Sequence, residues 1–315
     1  MSKILVTGGA GYLGSVLTMH LLAKNHQVTI LDSFMYYQTG IAPLCTYPNL
    51  TLIRGDVRDQ RVLLPLVKEA DIIMPLAALV GVTAADKNSD ATMETNTHQI
   101  RTIVNALGRM QLLIYPNTNS GYGIGGKGEC TEDQPLAPIS EYGKSKVAAE
   151  FMIRESNNLS FIIFRFATLF GVSLRMRLDL MVNDFTYKAV QGKSLVLFEP
   201  WFRRNFLHVH DAAQAFLFAI EHADQMNQGI FNAGLSSANI TKMELCRRIS
   251  NHVLGFIWFE SNAGHDPDKR DYVVSNKKLE ALGWMPKHSL DDGIAELVKV
   301  FSAVPYSVPA SYTNT

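Results

Sequence analysis

A glycine-rich turn between a short apolar strand and a helix constrains the fold of this chain more than any other feature. Gly8, Gly11 and Gly14 follow the apolar segment 3–7 and open a helix predicted over 12–24. Glycines at this spacing permit a tight turn and let the backbone approach a pyrophosphate at the helix N-terminus. The pattern predicts the first unit of a dinucleotide-binding domain; a glycine-rich structural turn is the alternative.

An acidic residue ends the next predicted strand. Asp32 follows the segment 27–31, 18 residues after Gly14. A carboxylate at this point accepts hydrogen bonds from both hydroxyls of an adenosine ribose and repels a 2′-phosphate, so NAD is the predicted cofactor rather than NADP. Further cofactor-binding candidates, for which simple packing is the alternative, are Tyr12, Leu13, Asp56 (at the adenine edge), Val57, and Leu76, Ala77 and Ala78 (beside a ribose).

Strands and helices alternate through the first half of the chain. The pattern predicts strands at 3–7, 27–31, 50–54, 71–74, 111–115 and 160–164, and helices at 12–24, 59–69, 88–109 and 140–155. Apolar strands alternating with helices are typical of a parallel sheet covered on both faces. The predicted fold is therefore α/β, with a Rossmann-type doubly wound parallel sheet.

The second half is less regular. It predicts a helix at 178–190, strands at 195–198 and 206–209, and a helix at 211–221 with Asp211 as its N-cap. We expect an NAD-binding domain over 1–170, to which 206–233 returns, and a loosely held tail over 304–315. The segments 171–205 and 234–303 would form a smaller, interleaved C-terminal region that binds substrate.

Composition argues against several functional classes. The chain has 315 residues, no formal net charge and three cysteines, Cys45, Cys130 and Cys246, without metal or disulfide spacing. We expect a cytoplasmic protein that binds neither nucleic acid nor a membrane, because it has no charge excess, no signal peptide and no apolar stretch long enough to span a bilayer. We expect no metal site, because His208 and His210 lack further ligands at suitable spacing.

Two polar residues on one face of a predicted helix indicate proton chemistry. Tyr142 and Lys146 are four positions apart and therefore share a helix face. An ammonium group beside a tyrosine favours loss of the phenolic proton. Tyr142 is therefore a candidate general base for an alcohol, although the spacing alone is common in helices.

Together these residues resemble the extended short-chain dehydrogenases/reductases, and in particular the NAD-dependent nucleotide-sugar epimerases and dehydratases. The resemblance covers nearly the whole chain. Its motifs are the turn 7–14, Asp32, the triplet 55–57, Asn96, Thr118 with 122–123, Tyr142 with Lys146, and the segment 204–211.

The resemblance implies a role for each matching residue. Tyr142 would act as base or acid at a sugar hydroxyl, and Lys146 would hold the nicotinamide ribose and lower the pKa of Tyr142. Thr118 would hydrogen-bond the reacting oxygen. Asn96 would have a structural or cofactor-positioning role, and Phe166 would pack near the nicotinamide.

The resemblance also implies a substrate with a diphosphate. Arg204 and Arg270 match arginines that bind this group, and the planar guanidinium suits phosphate oxygens. The segment with Asp179, Leu180 and Asn183 resembles a turn that meets the nucleotide, although Asp179 stands where asparagine is usual. Arg175 and Arg177 precede it as further substrate-binding candidates; a solvated basic loop is the alternative.

Departures from the family pattern narrow the chemistry. Relatives that eliminate water have an acidic pair after the position of Thr118, and decarboxylating relatives have a glutamate two residues after it. Here Asn119 and Ser120 occupy these positions, and neither is an effective proton shuttle. Hydride transfer without elimination is therefore the favoured reaction.

Three segments, 115–125, 175–180 and 266–272, resemble a subgroup that oxidises C4 of GDP-linked heptose in bacterial surface-polysaccharide pathways. The leading hypothesis is therefore a 4-dehydrogenase for a GDP-sugar such as GDP-manno-heptose. The alternatives are a UDP-hexose or other nucleotide-sugar 4-epimerase with tightly bound NAD, and a non-catalytic dinucleotide sensor. The resemblance also implies a homodimer, for which the helix of Tyr142 is a candidate interface; packing of that helix against its own sheet is the alternative.

Overall fold

The computed structural model describes residues 1–80, 89–261, 270–304 and 306. In the described part the strands are β1 (Lys3–Thr7), β2 (Gln27–Asp32), β3 (Leu50–Arg54), β4 (Ile72–Pro75), β5 (Leu112–Thr118), β6 (Ile124–Cys130), β7 (Ser160–Phe166), β8 (Thr168–Phe170), β9 (Ser194–Leu197), β10 (Arg203–His208), β11 (Gly229–Ala233), β12 (Asn239–Thr241), β13 (Ile257–Glu260) and β14 (Asp271–Val274). The α-helices are α1 (Tyr12–Ala23), α2 (Gln60–Glu69), α3 (Ser89–Ala106), α4 (Glu141–Arg154), α5 (Met181–Gly192), α6 (Val209–Glu221), α7 (Ala223–Met226), α8 (Lys242–Ser250), α9 (Lys277–Glu280) and α10 (Leu290–Ala303).

A seven-stranded parallel sheet organises the molecule, in the order β11-β7-β5-β4-β1-β2-β3. The strand order reverses beside β1, which pairs with both β2 and β4. In open sheets of this kind, ligands bind outside the carboxyl ends of the strands at such a switch point. The predicted Rossmann-type α/β fold is confirmed.

Both faces of the sheet are buried because its strands are nearly continuous apolar runs. Residues 4–6 of β1 and the whole of β4 are buried. One apolar cluster includes side chains of α1 and α6, and another includes side chains of α2, α3 and α4. The sheet is therefore covered by helices on both sides, as a parallel sheet requires.

A smaller set of elements packs around a second apolar core. Buried side chains of α5, α8 and α10 meet those of β9 and β10 in this cluster. The chain returns to the main sheet after β10, because β11 pairs with β7 and α6 packs against α1. This arrangement supports our proposal that 171–205 and 234–303 form a substrate region interleaved with an NAD-binding domain.

Some element boundaries differ from those predicted. The helix predicted from residue 211 begins at Val209, and its N-cap is His208, whose Nδ1 accepts a hydrogen bond from the backbone N–H of His210. The assignment of Asp211 as N-cap is therefore wrong. Its carboxylate instead accepts hydrogen bonds from the backbone N–H groups of Lys287 (3.0 Å) and His288 (2.9 Å).

Residue 88, the predicted first residue of the third helix, lies outside the described residues, as does the predicted tail 304–315 apart from Val304 and Tyr306. A search of the described helices found none with the length and apolar character needed to cross a membrane.

Candidate active site

The glycine turn leaves no room for side chains. Gly8 has a φ of +71°, and a Cβ on it would lie 2.6 Å from the backbone nitrogen of Ala77. A Cβ on Gly14 would collide with the carbonyl oxygen of Gly8. The backbone of the turn is therefore tightly packed and carries no side chains at its glycines. The backbone at the N-terminus of α1 borders the cleft directly.

Asp32 is fixed in place at the end of β2. Its Oδ2 accepts a hydrogen bond from the backbone N–H of Ala10 (3.0 Å), and its Oδ1 accepts one from that of Phe34 (2.9 Å). Burial raises the pKa of the Asp32 carboxyl, and these two hydrogen bonds and the charge of Arg175 oppose that rise. The carboxylate is thus oriented at the cleft wall by the protein's own backbone.

The helix α4 places the candidate base. Its N-cap Ser140 accepts a hydrogen bond from the backbone N–H of Gly143, so Tyr142 lies in the first turn and Lys146 one turn later. Lys146 is buried, its Nζ lies 4.2 Å from the centroid of the Tyr115 ring, and burial lowers its pKa to about 7.

The protonation of Tyr142 differs from the sequence-based expectation. Burial raises the pKa of Tyr142, and the positive charges that oppose this rise belong to Arg177 and Arg270 rather than to Lys146. The predicted effect of Lys146 on the Tyr142 pKa is therefore corrected. The physical reason is burial, which lowers the pKa of the lysine itself and so weakens its charge near neutral pH.

Thr118 ends β5 beside Ser120. The Thr118 hydroxyl donates a hydrogen bond to Ser120 Oγ (2.9 Å) and accepts one from the backbone N–H of Ser120 (3.1 Å). The guanidinium of Arg270 also donates a hydrogen bond to Ser120 Oγ. Ser120 stands where decarboxylating relatives have a glutamate. In this structure its hydrogen bonds join the candidate catalytic Thr118 to Arg270.

Cationic groups line the opposite wall of the cleft. Arg177 is paired with Asp179, and Arg204 is almost fully buried with its guanidinium 5.8 Å from the centroid of the Tyr272 ring. Arg204 also donates hydrogen bonds to the carbonyl oxygens of Arg203 and Arg270. This wall can bind an anionic group such as a diphosphate.

One cleft of about 670 Å³ joins these groups. Its lining includes every predicted cofactor or substrate residue except two: Gly8, Gly11, Tyr12, Leu13, Gly14, Asp32, Asp56, Val57, Leu76, Ala77, Ala78, Thr118, Tyr142, Lys146, Phe166, Arg175, Arg177, Asp179, Leu180, Arg204 and Arg270. The two exceptions are Asn96 and Asn183.

A profile of the NAD dependent epimerase/dehydratase family matches residues 4–234 of the chain. The chain belongs to this family. Members of the family act on nucleotide sugars and depend on NAD, so NAD is the cofactor.

Individual relatives agree with this family membership. The chain is 28% identical to the low-salt glycan biosynthesis protein Agl12 of Haloferax volcanii over 311 residues, which are 95% of this chain and 98% of the relative. It is 26% identical to a UDP-glucose 4-epimerase of Corynebacterium glutamicum over 310 residues, which are 91% and 92% of the two chains. The structure of a Thermus thermophilus UDP-glucose 4-epimerase in complex with NAD matches with a TM-score of 0.82 and 25% identity, and it covers 96% of this chain and 100% of that one.

The cleft of this family member fits a dinucleotide on structural grounds. Side chains at Gly8 and Gly14 would collide with the protein's own backbone, so only glycine keeps the turn that brings the N-terminus of α1 to the cleft, where a pyrophosphate can bind. The Asp32 carboxylate lines the same cleft and can accept hydrogen bonds from an adenosine ribose. Asp56, predicted at the adenine edge, lines the same cleft and is held by Arg58 at 2.6 Å, which lowers its pKa.

The two asparagines outside the cleft act on the groups that line it. The side chain of Asn96 hydrogen-bonds both backbone groups of Leu79 and donates to Ser145 Oγ (2.9 Å), which joins the segment after β4 to α4. This contact set agrees with a positioning role.

Asn183 has protein partners on both sides of its amide. Its Oδ1 accepts a hydrogen bond from the backbone N–H of Gly171 (3.0 Å), and its Nδ2 donates to the carbonyl oxygen of Arg177 (2.9 Å). It is fully buried, so we revise its predicted role from substrate contact to support of the loop 171–177.

Sequence reasoning missed several residues of the site. Tyr36 lines the cleft close to Asp32, and Gln99 accepts a hydrogen bond from the Thr7 hydroxyl (3.0 Å) and donates to the carbonyl oxygen of Ala77. The aromatic pair 36–37 soon after Asp32 was a usable signal for Tyr36, whereas nothing local marks Gln99.

A search of the described residues for three or more histidine, cysteine or acidic side chains able to hold a metal found no such group. Cys130 is buried, and burial raises the pKa of its thiol, so it is a poor nucleophile.

Proposed function

We propose that this enzyme oxidises C4 of a nucleotide-diphosphate sugar, with a GDP-sugar such as GDP-manno-heptose as the candidate substrate. The observation that carries the proposal is the convergence of Thr118, Tyr142 and Lys146 on one cleft with the glycine turn and with Arg177, Arg204 and Arg270. The cleft thus combines a proton acceptor, a dinucleotide site and cations for a diphosphate.

The proposed reaction separates one proton from one hydride. Tyr142, as phenolate, takes the proton of the C4 hydroxyl while the C4–H electron pair leaves with the hydrogen and a ketone forms. NAD, when bound, supplies the acceptor for that hydride. The Thr118 hydroxyl hydrogen-bonds the reacting oxygen. Burial raises the pKa of Tyr142, and the charges of Arg177 and Arg270 oppose that rise.

Elimination of water is not proposed, because the acidic residue that would protonate the leaving group is missing after Thr118. The positions after Thr118 carry an amide, Asn119, and a hydroxyl, Ser120. The Ser120 hydroxyl is already engaged by Thr118 and Arg270. Neither side chain can deliver a proton to a leaving group at neutral pH.

A 4-epimerase is the second candidate function. Its support is the similarity along nearly the whole chain to UDP-glucose 4-epimerases. In that case the ketone would turn over in the site and the hydride would return to its opposite face. The non-catalytic sensor is disfavoured because Thr118, Tyr142 and Lys146 are all present and line the same cleft.

The deciding experiment uses the NAD-loaded protein in deuterated water. It is incubated separately with GDP-manno-heptose and with UDP-glucose, and absorbance at 340 nm and NMR spectra are recorded. Stoichiometric absorbance with a ketone from the GDP-sugar supports a 4-dehydrogenase. An isomeric sugar without lasting absorbance supports an epimerase, and no change with either sugar would refute a 4-dehydrogenase of GDP-manno-heptose and a UDP-glucose 4-epimerase.

We also propose a homodimer through α3 and α4, which pack against each other. Phe151 of α4 is 47% exposed, whereas Val147 on the same helix is buried against its own chain. The helix therefore presents one apolar side chain outward. Replacing Phe151 with glutamate and measuring mass by analytical ultracentrifugation tests this interface: a monomer is expected, and an unchanged dimer would exclude it.

A further inference from the structure

Two loops from different parts of the chain meet at one end of the cleft. The backbone at Gly40 lies so close to Leu174 that a Cβ on Gly40 would collide with the Leu174 carbonyl oxygen. Nearby, the guanidinium carbon of Arg175 lies 4.8 Å from the centroid of the Tyr36 ring. The loop after β2 is therefore joined to the loop 171–177 by a backbone contact and a cation–π contact.

The loop 171–177 is also fastened to the start of α1. Ser173 Oγ donates a hydrogen bond to the carbonyl oxygen of Tyr12 (2.7 Å) and lies 3.2 Å from Ser15 Oγ. The Tyr12 hydroxyl in turn donates to the carbonyl oxygen of Gly171 (2.7 Å). These bonds hold Arg175 in a fixed relation to the glycine turn.

The two arginines of this loop have different direct partners. Arg177 is paired with Asp179, and its charge acts on Tyr142, where the sugar is expected. Arg175 is only 6% exposed and lies against Tyr36, and its charge acts on Asp32. Arg175 thus contacts Tyr36 and acts on Asp32, the carboxylate at which the adenosine ribose is expected.

We propose that Arg175 and Tyr36 together close the adenosine end of the NAD site and hold the cofactor there between turnovers. Arg175 is thereby reassigned from the substrate to the cofactor. The aromatic ring and the guanidinium line the same cleft as Asp32 and would form one wall of this end. Opening this wall requires the cation–π contact to break, so the pair controls how fast the cofactor leaves.

The test measures release of NADH, which does not depend on sugar chemistry or on the reaction assigned to the site. Full-length protein loaded with NADH is mixed with excess NAD in a stopped-flow instrument, and loss of NADH fluorescence reports the release rate. Arg175→Met and Tyr36→Leu should each raise this rate about tenfold, the effect of one desolvated cation–π contact. The double variant should exceed neither single variant appreciably, because both remove the same contact.

Matched controls separate this contact from general damage to the loops. Tyr36→Phe keeps the ring and should release NADH within about twofold of the parent rate, since the contact requires only the ring face. Tyr37→Leu alters the neighbouring, 88% exposed side chain and should do the same. Unchanged release in both Arg175→Met and Tyr36→Leu would overturn the proposal, as would normal NADH release in Arg175→Met alone.

Discussion

Arg165 and Glu150 form a two-pronged ion pair in the interior of the protein. Nη2 of Arg165 lies 2.7 Å from Oε1 of Glu150, and Nε lies 3.1 Å from Oε2. Their side chains are 2% and 1% exposed. Because Glu150 follows Tyr142 and Lys146 on α4 at successive spacings of four, the pair ties the catalytic face of this helix to β7.

The same carboxylate reaches the strand that carries Thr118. Asn117 Nδ2 donates a hydrogen bond to Glu150 Oε2, and Asn117 Oδ1 accepts one from the backbone N–H of Thr118 (2.8 Å). The ion pair therefore connects the candidate base and the candidate threonine through one buried network. Such pairs contribute little net stability, but breaking one leaves an uncompensated charge.

Glu150→Gln should lower both stability and turnover. It leaves the Arg165 charge without its counter-charge, so the free energy of unfolding should fall by about 3 kcal/mol in urea denaturation. Glu155→Gln, at the exposed end of the same helix, should change it by less than about 0.5 kcal/mol. Equal free energies of unfolding for the two variants would show that the buried ion pair does not stabilise the protein.

Gly14→Ala should weaken NAD binding. The added Cβ collides with the carbonyl oxygen of Gly8 and must distort the turn that admits the pyrophosphate. Overpacking of this kind costs about 1–3 kcal/mol, so NAD affinity should fall by about 10- to 100-fold in isothermal titration calorimetry. Gly126→Ala adds its Cβ in open space and serves as the control. Loss of NAD binding in Gly126→Ala, or normal NAD binding in Gly14→Ala, would contradict the assignment of the glycine turn to the pyrophosphate.

Acidic pH should weaken the packing of the C-terminal helix α10 against the end of β10 and the start of α6. His208 contacts Glu296 through Nε2 (3.1 Å) and stacks on His288 at 4.3 Å, while His210 contacts His20 (3.0 Å). Burial, more than the neighbouring histidines, lowers the pKa of both His208 and His210 from 6.5 to about 4. Asp211 and Asp292 are the nearby acidic charges that oppose this effect at His208.

The sign of the effect follows from proton binding. Between pH 6.5 and 4 the unfolded chain binds protons at these histidines more readily than the folded chain, so stability falls as the pH drops through this window. The loss should reach about 3 kcal/mol for His208 alone. The Tm of His208→Gln should fall less steeply than that of the parent between pH 7 and pH 4.5. The control His98→Gln, on α3, should match the parent. Identical pH profiles of Tm for His208→Gln and the parent would exclude His208 as a source of acid sensitivity.

Local sequence patterns predicted the fold well. The bounds of β1 and β3 agree with the predicted segments, and the cleft lies where the glycine turn and Asp32 indicated. These features depend on residues that are close in sequence, such as strand periodicity and turn chemistry.

What local patterns could not predict depends on contacts between distant residues. Asp211 looked like a helix cap, and its carboxylate was instead engaged by backbone groups at 287 and 288. Arg175 looked like a phosphate ligand, and its position against Tyr36 is set by the fold. The pKa of Lys146 likewise follows from burial, which no spacing along the chain reveals.

The central claim is that Tyr142 exchanges the proton of a sugar hydroxyl while hydride moves to NAD. The most direct measurement is single-turnover absorbance at 340 nm after NAD-loaded protein is mixed with GDP-manno-heptose or UDP-glucose, with Tyr142→Phe compared with the parent. The parent should show absorbance growth with one of these sugars, and Tyr142→Phe should slow it at least about 100-fold while it still binds NAD. Absorbance growth at near-normal rate in Tyr142→Phe would contradict the claim.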